Sequence, residues 1–249
     1  MTVLKTAAVI PARYDSSRFP GKALVDILGK AMIVRVYQAV EKCEQIDEVY
    51  VATDDERIKK VVKAAGGRVI MTSDQHQSGT DRIAEAAAQI EADLIVNVQG
   101  DEPLIEAQSI TQALKPFSQE NNLQMSTLKR KIDSEAAQSP DLVKVVTDHD
   151  DYALYFSRSP IPYYRDTKIK DQQYYQHIGL YVYRRDFLLK FAGMERTALE
   201  KAESLEQLRA LENGYQIKVL ETKAKLIGVD RKEDVELVEK ELKARNKKI

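Results

Sequence analysis

One polar loop near the amino terminus carries three cationic side chains at a spacing that could bind phosphate. Arg13, Arg18 and Lys22 follow an apolar, β-type run. We expect Pro11 to end that run and Pro20-Gly21 to turn the chain so that Lys22 projects. Open α/β sheets bind nucleotides in loops after the first parallel strand, and guanidinium, ammonium and backbone N–H groups suit a polyphosphate. The loop is therefore predicted to bind phosphate. The alternative is a solvated loop without a ligand. That alternative stays open because the glycine spacing matches neither of two known phosphate-binding motifs, Gly-x-x-x-x-Gly-Lys-Ser/Thr and Gly-x-Gly-x-x-Gly.

A carboxylate follows a second apolar run in the middle of the chain. The run over 94–98 predicts a short buried strand, and Gly100 lets the backbone turn after it. Asp101 then lies at the carboxyl end of the strand with Gln99 beside it. Mg²⁺ takes one or two carboxylates together with phosphate oxygens and water, so Asp101 is a candidate ligand, although an Asp after a strand is as often only a turn residue. A second strand-terminal aspartate, Asp230, ends an apolar run near the carboxyl terminus.

Hydrophobic periodicity alternates between strand and helix along the chain. Strands are predicted over 48–53, 68–71, 94–98, 124–129, 143–147, 177–183, 216–221 and 226–230. Helices are predicted over 31–44, 81–91, 107–120, 197–213 and 233–247, with a further helix between Asp55 and Gly66. This alternation is typical of an α/β fold with a mostly parallel, doubly wound, Rossmann-like sheet. We expect a single domain over 1–249, since the chain is long enough to bury a sizeable core.

The sequence around several polar residues is explained by an ordinary structural role. Asp54-Asp55 precedes a helical pattern and is better explained as an N-cap than as a metal site. Ser78-Gly79-Thr80 could start the next helix, and Lys129-Arg130-Lys131 is predicted to be a surface turn. Arg158 stands among apolar neighbours and could pair with a core carboxylate, while His177 could be a satisfied polar residue at the start of a strand.

Composition excludes some classes of partner. The net charge is −1 and the sequence pI is near 6.4, so there is no electrostatic basis for binding nucleic acid or an anionic membrane. No apolar stretch approaches the ~20 residues of a membrane span, and the amino terminus lacks a long apolar segment. We therefore expect a cytoplasmic protein. The single cysteine, Cys43, cannot form an intramolecular disulfide and is interpreted as a small, partly buried filler.

Six motifs resemble those of the CMP-sugar synthetases, and with Asp230 the resemblance covers nearly the whole chain. They are Pro11-Ala-Arg-Tyr with Ser16-Ser-Arg-Phe-Pro-Gly-Lys22, Ser78-Gly-Thr-Asp-Arg82, Asn97-Val-Gln-Gly-Asp-Glu-Pro103, Tyr155-Phe-Ser-Arg-Ser-Pro-Ile-Pro162, His177-Ile-Gly-Leu-Tyr181 and Glu203-Ser-Leu-Glu-Gln-Leu-Arg209. Within the family the chain is most similar to the branch that acts on 3-deoxy-manno-octulosonate (Kdo). The sialic-acid branch carries Gly-Gly-Ser-Lys where this chain has Tyr14-Asp15-Ser16-Ser17.

The resemblance implies a role for particular residues. It assigns the nucleotide to Ala12, Arg13, Arg18, Lys22, Ser78, Gly79, Thr80 and Gln99. It assigns the sugar to Arg82, Arg158, His177, Tyr181, Glu206 and Gln207, Mg²⁺ to Asp101 and Asp230, and catalysis to Lys22, Arg13 and Asp101. By composition alone the segment 203–209 would be a solvated helix face. The resemblance also implies a fold of the nucleotide-diphospho-sugar transferase type with a smaller dimerisation and sugar-binding lobe at about 150–190, and hence a homodimer.

The implied reaction transfers CMP from CTP to the anomeric hydroxyl of Kdo and releases pyrophosphate, for lipopolysaccharide biosynthesis. The two aspartates would hold Mg²⁺, which lowers the pKa of the attacking hydroxyl, and no protein general base is evident in the sequence. The alternatives are the same reaction on the 8-amino analogue of Kdo, a catalytically silent CTP-binding regulatory protein, and a structural scaffold. Retention of Lys22, Asp101 and Asp230 together argues against the last two.

Overall fold

The computed structural model of the chain describes residues 4–15, 19–76, 78–166, 168–169, 171–224 and 226–246. The chain divides into two compact units. Unit 1 comprises residues 1–111 and 225–249, and unit 2 comprises residues 112–224. The smaller lobe predicted at about 150–190 lies within unit 2, and its existence as a separate lobe stays a prediction.

Strands and helices alternate along most of the chain. The strands are β1 (Thr6–Ala12), β2 (Asp26–Ile27), β3 (Lys30–Ala31), β4 (Glu48–Thr53), β5 (Arg68–Met71), β6 (Leu94–Asn97), β7 (Met125–Ile132), β8 (Lys144–Thr147), β9 (Ala153–Ser157), β10 (Tyr174–Arg184) and β11 (Ile217–Glu221). The helices are α1 (Met32–Val40), α2 (Glu56–Ala64), α3 (Gly79–Ala88), α4 (Ala107–Leu114), α5 (Ser134–Ala137), α6 (Arg185–Ala192), α7 (Ala198–Glu203), α8 (Gln207–Glu212) and α9 (Lys232–Asn246). Short 3₁₀ helices cover Lys22–Leu24 and Lys115–Ser118.

The main sheet of unit 1 has the strand order β6–β1–β4–β5, and every neighbouring pair in it is parallel. Residues 7–10 of β1 are completely buried, as expected of a central parallel strand with both faces covered. The carboxyl ends of β1, β4 and β6 lie at one edge of this sheet, so the loops that follow them begin close together. The predicted α/β class with a mostly parallel, doubly wound sheet is confirmed.

The sheet of unit 2 is mixed. β11 runs parallel to β7, whereas β10 is antiparallel to β7 and to β8, and β9 is antiparallel to β8. The pairing of β10 with β7 is irregular between Ile178 and Tyr181, so the register shifts inside a motif that the sequence singles out.

Pro11 does not end β1, contrary to the prediction, because the strand continues to Ala12. Peptide groups alternate sides along a strand, so Pro11 faces the same neighbour as Val9, whose carbonyl accepts the N–H of Val98 at 3.3 Å. That neighbour, β6, ends at Asn97. The ladder therefore needs no donor from Pro11, and proline is tolerated there.

Residues 129–131 do not form a surface turn, as predicted from their charge, but lie within β7. Lys129 is buried, and its ammonium donates to Thr147 Oγ1 and Asp151 Oδ1, each at 2.8 Å. Pairing with β10 extends the strand through the whole basic run, and β11 pairs on the other side as far as Lys129, so tertiary context overrides the local composition.

The helix predicted over 197–213 is two helices, α7 and α8. Ser204 adopts a left-handed φ of 53° and ends the first of them. A buried ion pair between Glu200 and Arg209, with N–O distances of 2.6 and 2.7 Å, connects the two. Leu199 in α7 is 38% exposed whereas Leu205 and Leu208 are buried, because the break changes which face of the segment is buried.

Residues 226–230 do not form the predicted strand. The Val229 N–H donates to the carbonyl of Asp101 at 2.9 Å, and the Val229 side chain packs in a core cluster with Ile27 and Met32. Core packing and a backbone hydrogen bond thus hold this segment in place of sheet pairing. The β2–β3 hairpin was missed in the sequence because two-residue strands are too short to show a period of two.

Candidate active site

A pocket in unit 1 opens at the carboxyl edge of the parallel sheet. It is lined by the residues that follow β1 and β6, by the first turn of α3 and by one aspartate from near the start of α9. Of the residues predicted for the site, it gathers Ala12, Arg13, Lys22, Ser78, Gly79, Arg82, Gln99, Asp101 and Asp230. Thr80 is buried in α3, and Arg18 lies outside the described residues.

Two glycines shape the pocket as their sequence positions predicted. A Cβ atom on Gly100 would lie 2.7 Å from the carbonyl oxygen of Pro11, so only glycine lets the turn after β6 approach β1 so closely. Gly21 has a φ of 72°, and its N–H donates to the carbonyl of Tyr14 at 2.8 Å. The first turn delivers Asp101 to the pocket and the second delivers Lys22.

The ammonium of Lys22 is the point on which the pocket's charged groups converge. Its Nζ lies 2.5 Å from Asp101 Oδ2, 3.4 Å from Asp230 Oδ1 and 3.2 Å from the carbonyl oxygen of Val229. The side chain of Lys22 is only 17% exposed. The backbone of Asp230 is positioned in turn by Asp234, whose Oδ2 accepts the Asp230 N–H at 2.9 Å.

The same two carboxylates fit a magnesium ion that is shared with a phosphate ligand. They are hard oxygen donors that reach one common point, and Mg²⁺ completes such a set with phosphate oxygens and water. Among the described residues, no group of three or more His, Cys, Asp or Glu side chains could hold a metal ion. Within the described residues, Asp101 and Asp230 are thus the carboxylates that such an ion could use, and their role as Mg²⁺ ligands stays a prediction.

Arg82 projects from α3 into a buried hydrogen-bond network. Its Nη1 donates to Thr72 Oγ1 at 2.6 Å and its Nη2 to Asp54 Oδ2 at 2.7 Å. Asp55, not Asp54, caps α2 by accepting two backbone N–H groups of the first turn. The N-cap interpretation of the Asp54-Asp55 pair is thus confirmed for Asp55 and wrong for Asp54, which serves as the ion-pair partner of Arg82.

His76 is a pocket residue that the sequence analysis missed. Its imidazole contacts the carboxylate of Glu85, which also accepts the Ser73 N–H at 2.9 Å. The hydrogen bond from the Ser73 N–H holds the pKa of Glu85 below its ordinary value, and the contact with His76 adds a smaller effect in the same direction. Ser78 accepts the N–H of Asp81 at 3.1 Å and starts α3, as predicted. In the sequence, only the position of His76 could have identified it as a pocket residue, since it lies in the loop between the end of a parallel strand and this helix.

In unit 2, the buried residues His177 and Phe156 form an aromatic cluster with the half-buried Tyr181. The His177 ring lies 5.2 Å from the Tyr181 ring and packs edge-on to Phe156, and its Nε2 lies 3.0 Å from Thr127 Oγ1. Burial lowers the pKa of His177 to about 3, so the imidazole is neutral near pH 7. Burial also raises the pKa of Tyr181, and the charge of Glu206 adds to that rise.

Arg158 is held by backbone carbonyls and not by a core carboxylate. Its Nε donates to the carbonyl of Glu203 at 2.8 Å and its Nη1 to the carbonyl of Pro140 at 3.0 Å. The Glu203 carboxylate instead accepts the Arg158 N–H and the Ser157 hydroxyl. Lys144 is completely buried and donates to the Arg158 carbonyl at 2.5 Å, and burial lowers the pKa of this lysine.

Glu206 and Gln207 lie where α8 begins. Glu206 is the N-cap residue and Gln207 the first helical residue, which is buried together with Leu208 and Arg209. The composition-based interpretation of 203–209 as a solvated helix face is therefore wrong, because the break at Ser204 turns this segment inward.

Comparison with known proteins decides the family. A family profile described as cytidylyltransferase matches residues 7–222. The chain belongs to the cytidylyltransferases. It is 55% identical to a protein of Geotalea uraniireducens over 96% of this chain and 100% of the relative. It is 53% identical to a protein of Geobacter sulfurreducens, again over 96% of this chain and 100% of the relative. Both relatives are named 3-deoxy-manno-octulosonate cytidylyltransferase.

Two solved structures have a similar fold. A CMP:2-keto-3-deoxy-manno-octonic acid synthetase complexed with CTP matches with a TM-score of 0.93 and 43% identity, over 97% of this chain and 99% of that one. A 4-diphosphocytidyl-2C-methyl-D-erythritol synthase from Anaerococcus prevotii matches with a TM-score of 0.64 and 13% identity, over 97% of this chain and 100% of that one, which shows a likeness of fold alone. The resemblance to the CMP-sugar synthetases that the motifs indicated is confirmed.

The predicted site residues of this cytidylyltransferase fall into two groups. The nucleotide and metal residues that the structure describes, together with Arg82, belong to unit 1, and all of them except Thr80 line its pocket. The remaining sugar residues belong to unit 2: Arg158, His177, Tyr181, Glu206 and Gln207. The roles of both groups stay predictions.

Proposed function

We propose that this cytidylyltransferase transfers CMP from CTP to the anomeric hydroxyl of Kdo and releases pyrophosphate. The observation that carries the proposal is the convergence of Lys22, Asp101 and Asp230 in a pocket at the carboxyl edge of a parallel sheet. It occurs in a chain that aligns over 96% of its length with relatives named for this reaction. The product would enter lipopolysaccharide biosynthesis.

The physical problem is to bring two anions together and align an in-line displacement at the α-phosphorus. Lys22 and the exposed Arg13 supply positive charge toward the departing pyrophosphate. Ser78 and Gly79 place the first turn of α3 at the pocket, where helix N–H groups can donate hydrogen bonds to carbonyl and hydroxyl oxygens of the nucleoside. Gln99 donates to Asn97 Oδ1 at 2.9 Å, which orients its amide beside Asp101.

Asp101 and Asp230 are the residues that would hold Mg²⁺ in this reaction. The ion, when bound, supplies charge neutralisation at the phosphates and lowers the pKa of the attacking hydroxyl. In this scheme the two carboxylates beside Lys22 would be engaged by the ion, and activation of the hydroxyl by the metal would take the place of a separate general base. His76, the titratable side chain that the sequence analysis missed, is engaged with Glu85.

We propose a sugar-binding role for Arg82 of unit 1 and, separately, for the residues of unit 2 that the motifs assign to the sugar. A neutral His177 and a protonated Tyr181 can exchange hydrogen bonds with hydroxyls without the cost of burying a charge. The guanidinium groups of Arg82 and Arg158 are suited to the carboxylate of the sugar acid. Glu206 and Gln207 are suited to its hydroxyls. These roles rest on the motifs in which the residues occur.

We further propose that the enzyme is a homodimer in the cytoplasm. Three large apolar side chains within the segment 150–190 are exposed: Leu154 by 62%, Tyr163 by 85% and Ile169 by 44%. Exposed apolar side chains that gather into one surface patch mark a protein interface, and we propose that these three contribute to such a patch. Among the described residues no helix combines the length and apolar character that crossing a membrane requires.

Pyrophosphate release with CTP and Mg²⁺ tests the function, with Kdo, its 8-amino analogue and sialic acid as parallel acceptors. We expect turnover with Kdo. A preference for the 8-amino analogue would leave the assignments of the fold and the nucleotide pocket unchanged and would change only the assigned sugar substrate. No turnover with any acceptor, by a folded protein that still binds CTP, would replace the proposal with a regulatory role.

A further inference from the structure

The two proposed magnesium ligands are also the two anionic partners of Lys22. Its Nζ lies 2.5 Å from Asp101 Oδ2 and 3.4 Å from Asp230 Oδ1, so one ammonium group bridges both carboxylates. Lys22 is 17% exposed in its side chain, and the carbonyl oxygen of Val229 at 3.2 Å accepts a further hydrogen bond from it. Lys22 is thus well held at the point where the metal ligands meet.

A divalent cation and this ammonium compete for the same two carboxylates. Mg²⁺ binds carboxylate oxygens at about 2.0–2.1 Å, so an ion on these carboxylates would lie close to the ammonium nitrogen of Lys22. Two neighbouring cations repel each other strongly in a partly buried site. Metal binding is therefore opposed while Lys22 stays on the carboxylates, and it is favoured when another anion draws the ammonium away.

The triphosphate of the nucleotide is such an anion. Lys22 starts a 3₁₀ helix directly after the Gly21 turn, in the loop that also carries Arg13 into the pocket. The carboxylates would keep their places when Lys22 moves, because Asp101 and Asp230 are fixed through the backbone by Val229 and Asp234.

We propose that Lys22 acts as a displaceable counter-ion that makes metal binding conditional on nucleotide binding. Without nucleotide, the ammonium neutralises Asp101 and Asp230 and opposes a divalent ion; with nucleotide, Lys22 moves to the phosphates and releases both carboxylates. The coupling is reciprocal, so the metal strengthens nucleotide binding by the same factor. This inference rests on the metal and nucleotide assignments of the proposed function.

Direct binding of Mn²⁺ in the absence of nucleotide, followed by the electron paramagnetic resonance of the free ion, tests the inference without turnover. We expect Lys22→Met to bind Mn²⁺ at least about tenfold more tightly than the wild-type protein, a difference of about 1.4 kcal/mol. The double variant Lys22→Met/Asp101→Asn should lose that gain, because the new affinity depends on the released carboxylate.

Arg13→Met is the matched control, since it removes an exposed cation from the same pocket. A rise in Mn²⁺ affinity that is equal in Arg13→Met and Lys22→Met would mean general electrostatics, and would overturn the proposal. So would a folded Lys22→Met protein with wild-type Mn²⁺ affinity, where folding is checked by circular dichroism and the thermal midpoint. If Lys22→Met does not fold, Lys22→Gln makes the same test with a polar side chain.

The outcome is independent of the proposed reaction. Failure of the wild-type protein to release pyrophosphate with any sugar acceptor would remove the proposed function and leave the Mn²⁺ comparison intact. Normal pyrophosphate release by the wild-type protein, combined with wild-type Mn²⁺ affinity in Lys22→Met and Lys22→Gln, would remove only the counter-ion role of Lys22.

Discussion

At the scale of single residues, the proposed chemistry of the pocket depends on Asp101. Asp101→Asn keeps the size of the side chain and one oxygen, but it removes the charge that faces Lys22 and the proposed metal. We expect the rate of pyrophosphate release to fall by about 10³-fold, the scale on which a pre-organised electrostatic group contributes. The thermal midpoint should stay close to wild type. Asp150→Asn, in an exposed turn of unit 2, is the control that should keep full activity; an active Asp101→Asn enzyme would remove the metal scheme.

The low pKa of His177 predicts how the free energy of unfolding changes with pH. Its pKa is about 3 in the folded chain against an ordinary 6.5, so the unfolded chain takes up the proton first as the pH falls. The contribution to stability is therefore complete above pH 6.5 and is lost progressively as the pH falls toward 3. Between pH 6.5 and about 5 the free energy of unfolding should decrease by up to about 1.4 kcal/mol per pH unit.

Urea unfolding at a series of pH values measures this effect. His177→Gln should show a shallower pH dependence over the same interval, because glutamine does not titrate. His149→Gln, at an exposed turn, should leave the wild-type slope unchanged. Equal slopes in wild type and His177→Gln would mean that the imidazole is not protected from protonation by the fold.

At the scale of secondary-structure elements, the break between α7 and α8 depends on a buried ion pair. Glu200 is 1% exposed and receives two hydrogen bonds from the guanidinium of Arg209. Arg209→Met would leave this carboxylate without its buried partner, and we expect a loss of about 3 kcal/mol in the free energy of unfolding.

Arg196→Met is the matched control, because Arg196 contacts the same carboxylate from a 59% exposed position at 3.2 Å. An exposed partner contributes little, so its loss should cost less than about 1 kcal/mol. Urea unfolding of both variants decides the matter. Similar losses would show that the burial of the pair is not what stabilises this junction.

At the scale of the whole molecule, the proposed homodimer is tested by the mass in solution. Tyr163→Asp places a charge on an 85% exposed aromatic residue in the segment assigned to the interface, and sedimentation equilibrium should then give a monomer. Leu237→Asp introduces the same change on a 56% exposed leucine of α9 and should leave the wild-type mass unchanged. A monomeric wild-type protein at micromolar concentration would reject the dimer.

Local patterns determined a large part of this fold. The bounds of β4 and β5 agree with the prediction residue for residue, because short β-branched runs between turn residues leave few alternatives. Asp55 and Ser78 start their helices as predicted, since a capping side chain acts on N–H groups only two or three residues away. The motifs likewise identified the family, and most of the residues that they assign to nucleotide and metal line one pocket of unit 1, while the roles of these residues stay predictions.

Other features were decided only by contacts between residues far apart in the chain. Nothing near Lys22 indicates that its ammonium bridges Asp101 and Asp230, because the three residues meet through the packing of a turn after β6 and a segment that is not a strand. Lys129 looks solvated in the sequence, and its burial depends on Asp151 and two neighbouring strands. Periodicity and capping are local, whereas charge pairing and burial are set by whichever elements the tertiary structure places beside them.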